Sequence, residues 1–254
     1  MKTLIPALAE IEGFKILHLR STTSTNDELA VLAESGVEDG MVVWADEQTQ
    51  GRGRQGRQWF SAPGSSLTFS LLIRPEEAER AFANRFTALG ALALLQELSV
   101  HHYVQAQIKW PNDVLITGKK VCGVLAEISW QEELPVAVIL GIGVNLTREC
   151  FPPMERAIYP VGNLEETLGV KLSPLELLHG ILKAIKQIRP TLCEPCFIQK
   201  WNDSLAFRGE VMSSRNNKGE MESYRLLYIN SDGSLAVLDA AGRQQVLYSG
   251  ELSL

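Results

Sequence analysis

Apolar positions in the first part of the chain fall mainly into short runs, which are either continuous or alternate with polar residues. A continuous apolar run is typical of a β-strand that is buried on both faces, and alternation is typical of one that is buried on a single face. Strands are predicted for residues 14–20, 41–46, 67–73, 108–110, 114–117, 121–128 and 135–146. The connection Gly118-Lys119-Lys120 is short and contains glycine, so it predicts a hairpin between two of these strands.

A longer apolar period marks the helices. Residues 82–98 are apolar on all sides and rich in alanine, which predicts a helix buried behind a sheet. Further helices are predicted for residues 25–33, 174–189 and 191–203. Thr25 and Glu28 fit a capping box at the start of the first of them, and Gly36 fits its end. Ser24 and Thr25 are then either capping residues alone or ligand contacts as well.

The pattern changes at Arg208. Four short alternating strands follow at 210–212, 224–229, 234–238 and 245–248, and the turn signals Asn217-Lys218-Gly219, Ser231-Asp232-Gly233 and Ala241-Gly242 separate them. This spacing predicts a small β-barrel. We therefore predict an α+β fold, with a mixed β-sheet backed by helices in residues 1–207 and the barrel in residues 208–254. A loop containing Pro152 and Pro153 is predicted for 152–162.

Composition narrows the class of protein. The chain has 254 residues, of which 45% are hydrophobic and 21% charged, and its net charge is −6. These values fit a soluble globular protein and argue against a general nucleic-acid binder, which would carry a broad basic surface. No apolar run has the length of a membrane span. Residues 1–11 lack the apolar centre of a signal peptide, so we expect a cytoplasmic protein without a membrane partner.

The four cysteines include the pair Cys193 and Cys196 in a CxxC arrangement. A zinc site usually needs a second such pair or nearby histidines, and the four histidines show no matching spacing. Metal or redox use of this pair is therefore the weaker interpretation. Ordinary thiols in a reducing compartment are the stronger one.

Residues 51–59, called the arginine loop below, contain three glycines and three arginines in an acidic protein. Arginine suits phosphate and carboxylate groups, and glycine lets the backbone approach a ligand closely, so the loop predicts an anion site. Gly51, Gly53 and Gly56 also match the G-x-G-x-x-G dinucleotide fingerprint. That fingerprint requires a helix to begin at the loop, whereas turn-forming residues follow here, so we reject a Rossmann-type nucleotide site. We expect the loop to be mobile until a ligand binds.

Three polar segments are predicted to meet at strand ends: residues 48–59, 109–123 and 141–145. Between them they carry Arg52, Arg54, Arg57, Lys109, Lys120, Asp113 and Asn145. Several cations with one carboxylate fit a polyanion with a divalent cation, most commonly a nucleoside triphosphate. The chain has no G-x-x-x-x-G-K-[ST] loop, and no glycine elbow around a serine that would predict acyl hydrolysis. A lysine and arginines between a carboxylate and an α-phosphate would remove their repulsion, which is about 4 kcal/mol at 4 Å and an effective dielectric constant of about 20.

Four motifs together resemble those of biotin protein ligases, the biotin–[acetyl-CoA-carboxylase] ligases. They are GRGRxGRxW at 51–59, KWPND at 109–113, KVCGVL at 120–125 and GIGVN at 141–145. The resemblance extends from about residue 14 to the closing segment 250–254. It implies a class II synthetase-like catalytic domain and an SH3-like C-terminal barrel. It also implies a reaction in which biotin and Mg-ATP give biotinyl-5′-AMP, which then passes its biotinyl group to a lysine of a biotin carboxyl carrier domain.

The resemblance also implies roles for individual residues. Lys120 and Arg54 would be catalytic. Biotin would contact Ser24, Thr25, Asn26, Gln48, Arg52, Gly53, Arg54, Lys120 and Gly123. ATP would contact Arg54, Arg57, Trp59, Asp113, Lys120 and Asn145, with Trp59 and Asn145 at the adenine. No metal site belonging to the protein itself is implied, because magnesium would enter with ATP and touch at most Asp113. Capping and ligand contact by Ser24 and Thr25 can then coexist.

Further expectations concern partners. Some members of this family carry an N-terminal winged-helix DNA-binding domain. Only 23 residues precede Ser24, so we expect neither specific DNA binding nor repressor activity. A homodimer paired through an exposed sheet edge stays open. Two alternatives rank lower: a lipoate ligase, which would lack KWPND, and a biotin-binding module without catalysis, which could lose Lys120, Arg54 and Arg57.

Overall fold

The computed structural model describes residues 4–150, 159–215, 220–250 and 252–253. Eight strands form the large sheet in the order β1-β2-β3-β4-β8-β7-β6-β5. They are β1 (Leu4–Ile11), β2 (Phe14–Leu19), β3 (Met41–Ala45), β4 (Ser66–Ile73), β5 (Gln107–Lys109), β6 (Asp113–Ile116), β7 (Lys119–Gln131) and β8 (Leu134–Asn145). Only β2 and β3 pair in parallel, and the other six pairs are antiparallel, so the predicted mixed sheet is confirmed.

The described part of the chain contains six α-helices: α1 (Thr25–Glu34), α2 (Glu77–Arg80), α3 (Arg85–His102), α4 (Leu164–Leu168), α5 (Pro174–Ile188) and α6 (Pro195–Asp203). The predicted buried helix is α3, which begins three residues later than expected and continues to His102. The short helices α2 and α4 and the edge strand β1 were not predicted. Gly36 follows α1 with a φ of 88°, which agrees with the predicted end of that helix.

The two faces of the large sheet are covered differently. Helices α3 and α5 pack on one face, where the odd-numbered apolar residues of β4, such as Leu67 and Phe69, enter the main core. The even-numbered residues of β4 face the other way, and Leu72 joins a smaller core with Leu29 of α1. Thr68 and Ser70 lie on this second face too, because strand side chains alternate. Helix α1 covers only part of that face, which leaves room for a cavity beside it.

The C-terminal region forms a second, antiparallel sheet in the order β12-β11-β10-β9. Its strands are β9 (Val211–Arg215), β10 (Met221–Ile229), β11 (Leu235–Leu238) and β12 (Gln244–Leu247). The predicted small all-β region is therefore confirmed as a four-stranded sheet, while the SH3-like description stays a prediction. Ser253 forms a bridge to Ser213 of β9, which ties the chain end to this sheet.

The two sheets share one continuous core, since Leu226 and Leu235 of the small sheet belong to the same cluster as α3 and β8. Trp110 Nε1 donates to the carbonyl of Gly233 at 3.0 Å. The proposed boundary at 207/208 lies between α6 and β9, and division into separate domains there stays a prediction. Three predictions lie wholly or partly outside the described residues: residues 152–158 of the loop at 152–162, the turn at 217–219, and Glu251 and Leu254 of the closing segment.

Within the described residues, no helix combines the length and hydrophobicity needed to cross a membrane.

Candidate active site

A cavity opens on the second face of the large sheet, between the start of α1, the arginine loop and the ends of β6, β7 and β8. It brings together twelve of the thirteen residues that the motifs predicted for the site. These are Ser24, Thr25, Asn26, Gln48, Arg52, Gly53, Arg54, Arg57, Trp59, Asp113, Lys120 and Gly123. The structure therefore gathers segments that are up to about a hundred residues apart in the sequence around one cavity.

Three glycines form the floor of the cavity. Gly123 on β7 pairs with Gly143 on β8, and Gly141 lies two residues before Gly143 on the same face. We call these three residues the glycine floor. A Cβ built on Gly143 would lie 2.4 Å from Cε2 of Trp59, and one on Gly141 would lie 2.4 Å from Oδ1 of Asn26. An indole ring and an amide group therefore rest directly on the backbone of this strand, which is the kind of close approach that glycines inside a strand permit.

The arginine loop turns back on itself above this floor. The backbone N–H of Gly53 donates to Arg57 O at 2.8 Å, and that of Trp59 donates to Gly51 O, also at 2.8 Å. Residues 54–56 make only a single 3-10 turn, in which Gln55 has a φ of 56°. No α-helix begins at the loop, since β4 is the next element after this turn. The rejection of the dinucleotide fingerprint is thus confirmed.

Lys120 is placed by a β-bulge. The prediction that Lys120 belongs to the hairpin connection is wrong: Thr117 and Gly118 make the turn, and Lys120 belongs to β7. Val114 pairs with Cys122 but Leu115 pairs with Lys120, so β7 carries one extra residue. Val121 and Cys122 consequently both enter the main core. Simple alternation would send Lys120 into the core as well, whereas the bulge turns it toward the cavity.

Cations outnumber carboxylates at this end of the cavity. Lys120 Nζ pairs with Asp113 Oδ1 at 2.7 Å. Burial lowers the pKa of Lys109, and the charges of Lys120 and Arg57 lower it further, against the opposing effect of Asp113. Burial likewise lowers the pKa of Arg54, with Asp113 again opposing. One carboxylate thus serves several cations, and an added anion would stabilise their charged forms.

Lys109 lies deeper than the other cations. It is 4% exposed, and its Nζ sits 4.4 Å from the centre of the Tyr159 ring. Cation–π contact of this kind partly replaces the hydration that burial removes. Lys109 entered the sequence analysis as one of the basic residues but received no role there. Because Lys109 is the most buried of these cations, we expect its pKa to respond most strongly to an anion that enters the cavity.

The start of α1 forms the opposite end of the cavity. The capping box predicted for Thr25 and Glu28 is wrong: Ser24 is the N-cap, and it makes no capping hydrogen bond with its side chain. Instead Gln48 accepts from the backbone N–H of Thr25 at 2.7 Å and from its hydroxyl at 3.1 Å. The free N–H of the first turn is therefore satisfied by a side chain from another segment, which propensity rules for a single segment do not foresee.

A hydrogen-bonded group connects this end to the arginine loop. Ser70 Oγ donates to Asn26 Oδ1 at 2.6 Å, and Asn26 Nδ2 donates to Glu127 Oε2, also at 2.6 Å. Glu127 accepts from Arg52 Nη2 at 3.0 and 2.9 Å, and Arg52 also pairs with Asp27. Burial alone would lower the pKa of Arg52, but the bonds and charges of Asp27 and Glu127 outweigh it and raise that pKa.

Asn145 is the one predicted site residue that does not line the cavity. It is 4% exposed, and its Nδ2 donates to Lys120 O at 3.3 Å and to Gly162 O at 3.0 Å. In this structure it therefore supports the backbone beneath Lys120. Cys193 and Cys196 are free thiols at the start of α6, and neither lines the cavity.

A metal would find little support from the protein alone. No three His, Cys, Asp or Glu side chains within the described residues are grouped to hold a metal ion. Among the described residues that line the cavity, Asp113 is the single carboxylate. That arrangement suits magnesium, which is commonly held by one or two carboxylates and by the phosphates of its substrate.

Comparison with known proteins matches residues 18–145 to the biotin/lipoate A/B protein ligase family. The bifunctional ligase/repressor BirA of Bacillus subtilis is 34% identical over 250 residues, which cover 96% of this chain and 75% of the relative. The chain belongs to the biotin/lipoate A/B protein ligase family. The biotin–[acetyl-CoA-carboxylase] ligase of Paracoccus denitrificans is 34% identical over 235 residues, covering 90% of this chain and 96% of that protein.

The fold of this ligase is also found in a solved structure. The biotin protein ligase of Aquifex aeolicus, in complex with biotin and ATP, superposes with a TM-score of 0.77 and 29% identity, covering 94% of this chain and 97% of that one. The predicted resemblance to biotin protein ligases is thereby confirmed, as is the prediction that the protein is a ligase enzyme.

Some residues of the ligase site escaped the sequence analysis. Asp27, Ser70 and Glu127 form the hydrogen-bonded group, and Gly250 and Leu252 bring the C-terminal region into the cavity lining. One signal could have revealed Glu127, because it shares a strand face with Gly123 through the period of two. Ser70 alternates with apolar residues on β4 in the same way. Gly250 and Leu252 lie in the closing segment covered by the resemblance, but nothing in that segment assigned them to the cavity.

Proposed function

We propose that this ligase activates biotin with ATP and transfers the biotinyl group to one lysine of a biotin carboxyl carrier protein or domain. The observation that carries the proposal is the arrangement of Arg54, Arg57, Lys109 and Lys120 with a single carboxylate, Asp113, beside the glycine floor. The complex of the similar Aquifex aeolicus ligase with biotin and ATP supports the same pair of substrates.

In the first step, a carboxylate oxygen of biotin attacks the α-phosphorus of ATP, and the bond to pyrophosphate breaks. Lys120 lies between the two anions, and Arg54 and Arg57 face it from the arginine loop. Their charge offsets a repulsion of about 4 kcal/mol for two unit charges at about 4 Å and an effective dielectric constant of about 20. No protein nucleophile is needed, because positioning and charge stabilisation lower the barrier.

Asp113 and Lys120 exchange partners in this proposal. In the structure, Lys120 Nζ and Asp113 Oδ1 form an ion pair at 2.7 Å. A bound phosphate would compete for Lys120 and release the carboxylate of Asp113, which is then available to magnesium. When bound with ATP, magnesium neutralises phosphate charge. Asp113 would therefore hold the lysine in place before substrates arrive and the metal afterwards.

In the second step, the amine of the carrier lysine attacks the carbonyl carbon of biotinyl-5′-AMP. The carbon–oxygen bond to the phosphate breaks, AMP leaves, and the amine loses a proton. Water would compete with the amine for this reactive mixed anhydride. The arginine loop and the half-buried Trp59 on the glycine floor would exclude it until the carrier arrives.

Biotin-dependent exchange of labelled pyrophosphate into ATP tests the first step. We expect exchange with biotin and none with lipoate, which would be the substrate of the other branch of this family. Exchange supported by lipoate alone would overturn the proposal. Mass spectrometry of a purified carrier domain, with and without its acceptor lysine, then tests the transfer.

The variant Lys120→Ala tests the catalytic cluster. Loss of one charge that stabilises a transition state costs about 10²- to 10³-fold in turnover, and we expect a decrease of this size in exchange. Lys119→Ala is the matched control, since Lys119 is the exposed neighbour on the same strand and does not line the cavity. Near-normal exchange by a folded Lys120→Ala protein would remove Lys120 from this role.

We also propose that this ligase does not act as a repressor. The net charge of −6 gives no general electrostatic attraction to DNA. A gel-shift assay at physiological salt with the promoter regions of biotin-synthesis genes should show no specific complex. A tight, sequence-specific complex would contradict this proposal while leaving the ligase activity intact.

A further inference from the structure

The hydrogen bonds around Glu127 run without a break from the cavity to the arginine loop. Ser70 and Asn26 form the inner end, where both side chains are buried. Glu127 forms the middle, since its Oε2 accepts from Asn26 Nδ2 at 2.6 Å and from Arg52 Nη2 at 2.9 Å. Arg52 is the outer end and belongs to the loop. A change in the hydrogen bonds of Asn26 can therefore alter the contact of Arg52 through the single carboxylate of Glu127.

Asn26 is held by hydrogen bonds at both polar atoms of its amide group. Its Oδ1 accepts from Ser70 Oγ at 2.6 Å, and it lies so close to the glycine floor that a Cβ on Gly141 would be 2.4 Å away. Its Nδ2 donates to Glu127. A polar ligand group that bonds to the remaining N–H or lone pair of Asn26 would fix the orientation of the amide that donates to Glu127.

The outer end is built to exchange partners. The side chains of Arg52, Asp27 and Glu127 are 41%, 46% and 40% exposed, so water can replace each contact. Asp27 from α1 and Glu127 from β7 hold the guanidinium from two sides. Glu127 lines a pocket on the outer side of the arginine loop, next to the cavity that Asn26 lines.

From this geometry we propose that Glu127 is a positioning residue that couples occupancy of the cavity at Asn26 to closure of the arginine loop through Arg52. The identity of the ligand, biotin, rests on the function proposed above. Glu127 makes no contact with reacting atoms. Loop closure is favoured when Glu127 holds Arg52, and an occupied cavity strengthens that hold by fixing Asn26.

Trypsin reports on this coupling, because the loop contains three arginines. In the ligand-free protein, Glu127→Gln should raise the initial rate of cleavage within residues 51–59 about two- to fivefold, the range for losing one partly exposed ion pair. Asp27→Asn should act in the same direction. Glu38→Gln is the control, since it removes an exposed ion pair with Lys15 outside the cavity and should change nothing. Equal cleavage of Glu127→Gln and wild type, both folded by circular dichroism, overturns the proposal.

Saturating biotin provides the second measurement. In the wild type it should slow cleavage of the loop, and in Glu127→Gln this protection should fall by at least about half, because Arg52 is then held by Asp27 alone. The same variant should release more biotinyl-5′-AMP to solution per biotinylated carrier, with little change in KM for ATP. Identical protection by biotin in both proteins overturns the coupling.

A double-mutant cycle separates coupling from general loosening. If Glu127 acts through Arg52, Glu127→Gln should add little to the cleavage rate at the remaining arginines in an Arg52→Ala background. Fully additive effects overturn the proposal. Should the wild type show no biotin-dependent pyrophosphate exchange while ligand-free cleavage still responds to Glu127→Gln, the loop contact stands and the proposed function fails.

Discussion

The glycine floor and the arginine loop face each other across one cavity but are held in different ways. The floor is backbone in the middle of the large sheet, where β8 is hydrogen-bonded to β4 on one side and to β7 on the other. The loop depends on Trp59, which rests on that floor, and on the ion pairs of Arg52 with Asp27 and Glu127. The side chains in these pairs are 40–46% exposed.

Magnitudes show what this difference means. Exposed ion pairs contribute about 0.2–1 kcal/mol each, whereas ordering the backbone costs about 1–2 kcal/mol per residue. The pairs of Arg52 therefore cannot hold nine residues closed by themselves, and packing of Trp59 on the glycine floor must contribute. The floor is formed by folding, while closure of the loop remains near balance and can respond to a ligand. That the loop is mobile before ligand binding stays a prediction.

The largest effect should come from filling the floor. In Gly141→Ala, the new methyl group would meet Asn26 Oδ1 at 2.4 Å in the buried interior of the site. We expect more than about a tenfold rise in KM for biotin, and a loss of about 1–3 kcal/mol of stability, the usual cost of overpacking. Thermal unfolding should show a Tm lower by about 2–12 °C.

The double variant Asn26→Ala with Gly141→Ala controls for the cause. Because the amide is then absent, Gly141→Ala should lower the Tm of the Asn26→Ala protein less than it lowers the Tm of the wild type. The KM for biotin of the double variant should nevertheless stay raised. A Gly141→Ala protein with wild-type Tm and wild-type KM would show that the floor tolerates side chains.

An intermediate effect should follow from pH. Because burial lowers the pKa of Lys109, this lysine loses its charge at a lower pH than an ordinary lysine. Bound phosphate favours the charged form and raises that pKa, so affinity for ATP should fall as pH rises through the pKa of the free enzyme. We expect KM for ATP to rise about three- to tenfold between about pH 8 and about pH 10. This range lies below about 10.4, the ordinary pKa of a lysine side chain.

Lys109→Arg is the matched variant for this measurement, because arginine stays charged over the whole range. Its KM for ATP should depend less on pH than that of the wild type. Equal pH profiles for the two proteins would assign the titration to another group.

The smallest effect should come from salt, and it should be confined to the loop. Raising ionic strength from about 0.05 M to about 0.5 M shortens the Debye length from roughly 14 Å to roughly 4 Å and weakens exposed pairs. Tryptic cleavage of the arginine loop should rise about twofold, while hydrogen exchange of β8 amides at the floor stays constant. A free peptide of the loop sequence corrects for the effect of salt on trypsin. Equal salt sensitivity of both regions would remove the distinction between them.

The fold was largely predictable because hydrophobic spacing encodes which faces are buried. Each strand predicted between residues 14 and 146 is present, as are the long helices α3 and α5. Strand β1 was missed because its apolar residues do not follow a clear strand pattern. It is recognised as a strand only by its antiparallel pairing with β2. The cap of α1 was misassigned for a related reason, since Gln48 from outside the helix satisfies the N–H of Thr25.

The candidate site was predictable where glycines and cations cluster in sequence, and less so where contacts cross the fold. Motifs led to Arg54, Lys120 and Gly123, which do line the cavity. They could not show that Asn145 faces backbone carbonyls under Lys120, or that Glu127 is shared between Asn26 and Arg52. Those facts depend on distances between segments that no single stretch of sequence contains.

The extra residue in β7 lets this strand of the ligase serve the core and the cavity at once. Val121 and Cys122 occupy consecutive core positions, while Lys120 and Gly123 on either side of them both line the cavity. Deleting Val121 would restore simple alternation and would leave Lys120 opposite Leu115 and on the cavity side of the strand. The bulge therefore adds one apolar side chain to the core without turning the ammonium group away from the cavity.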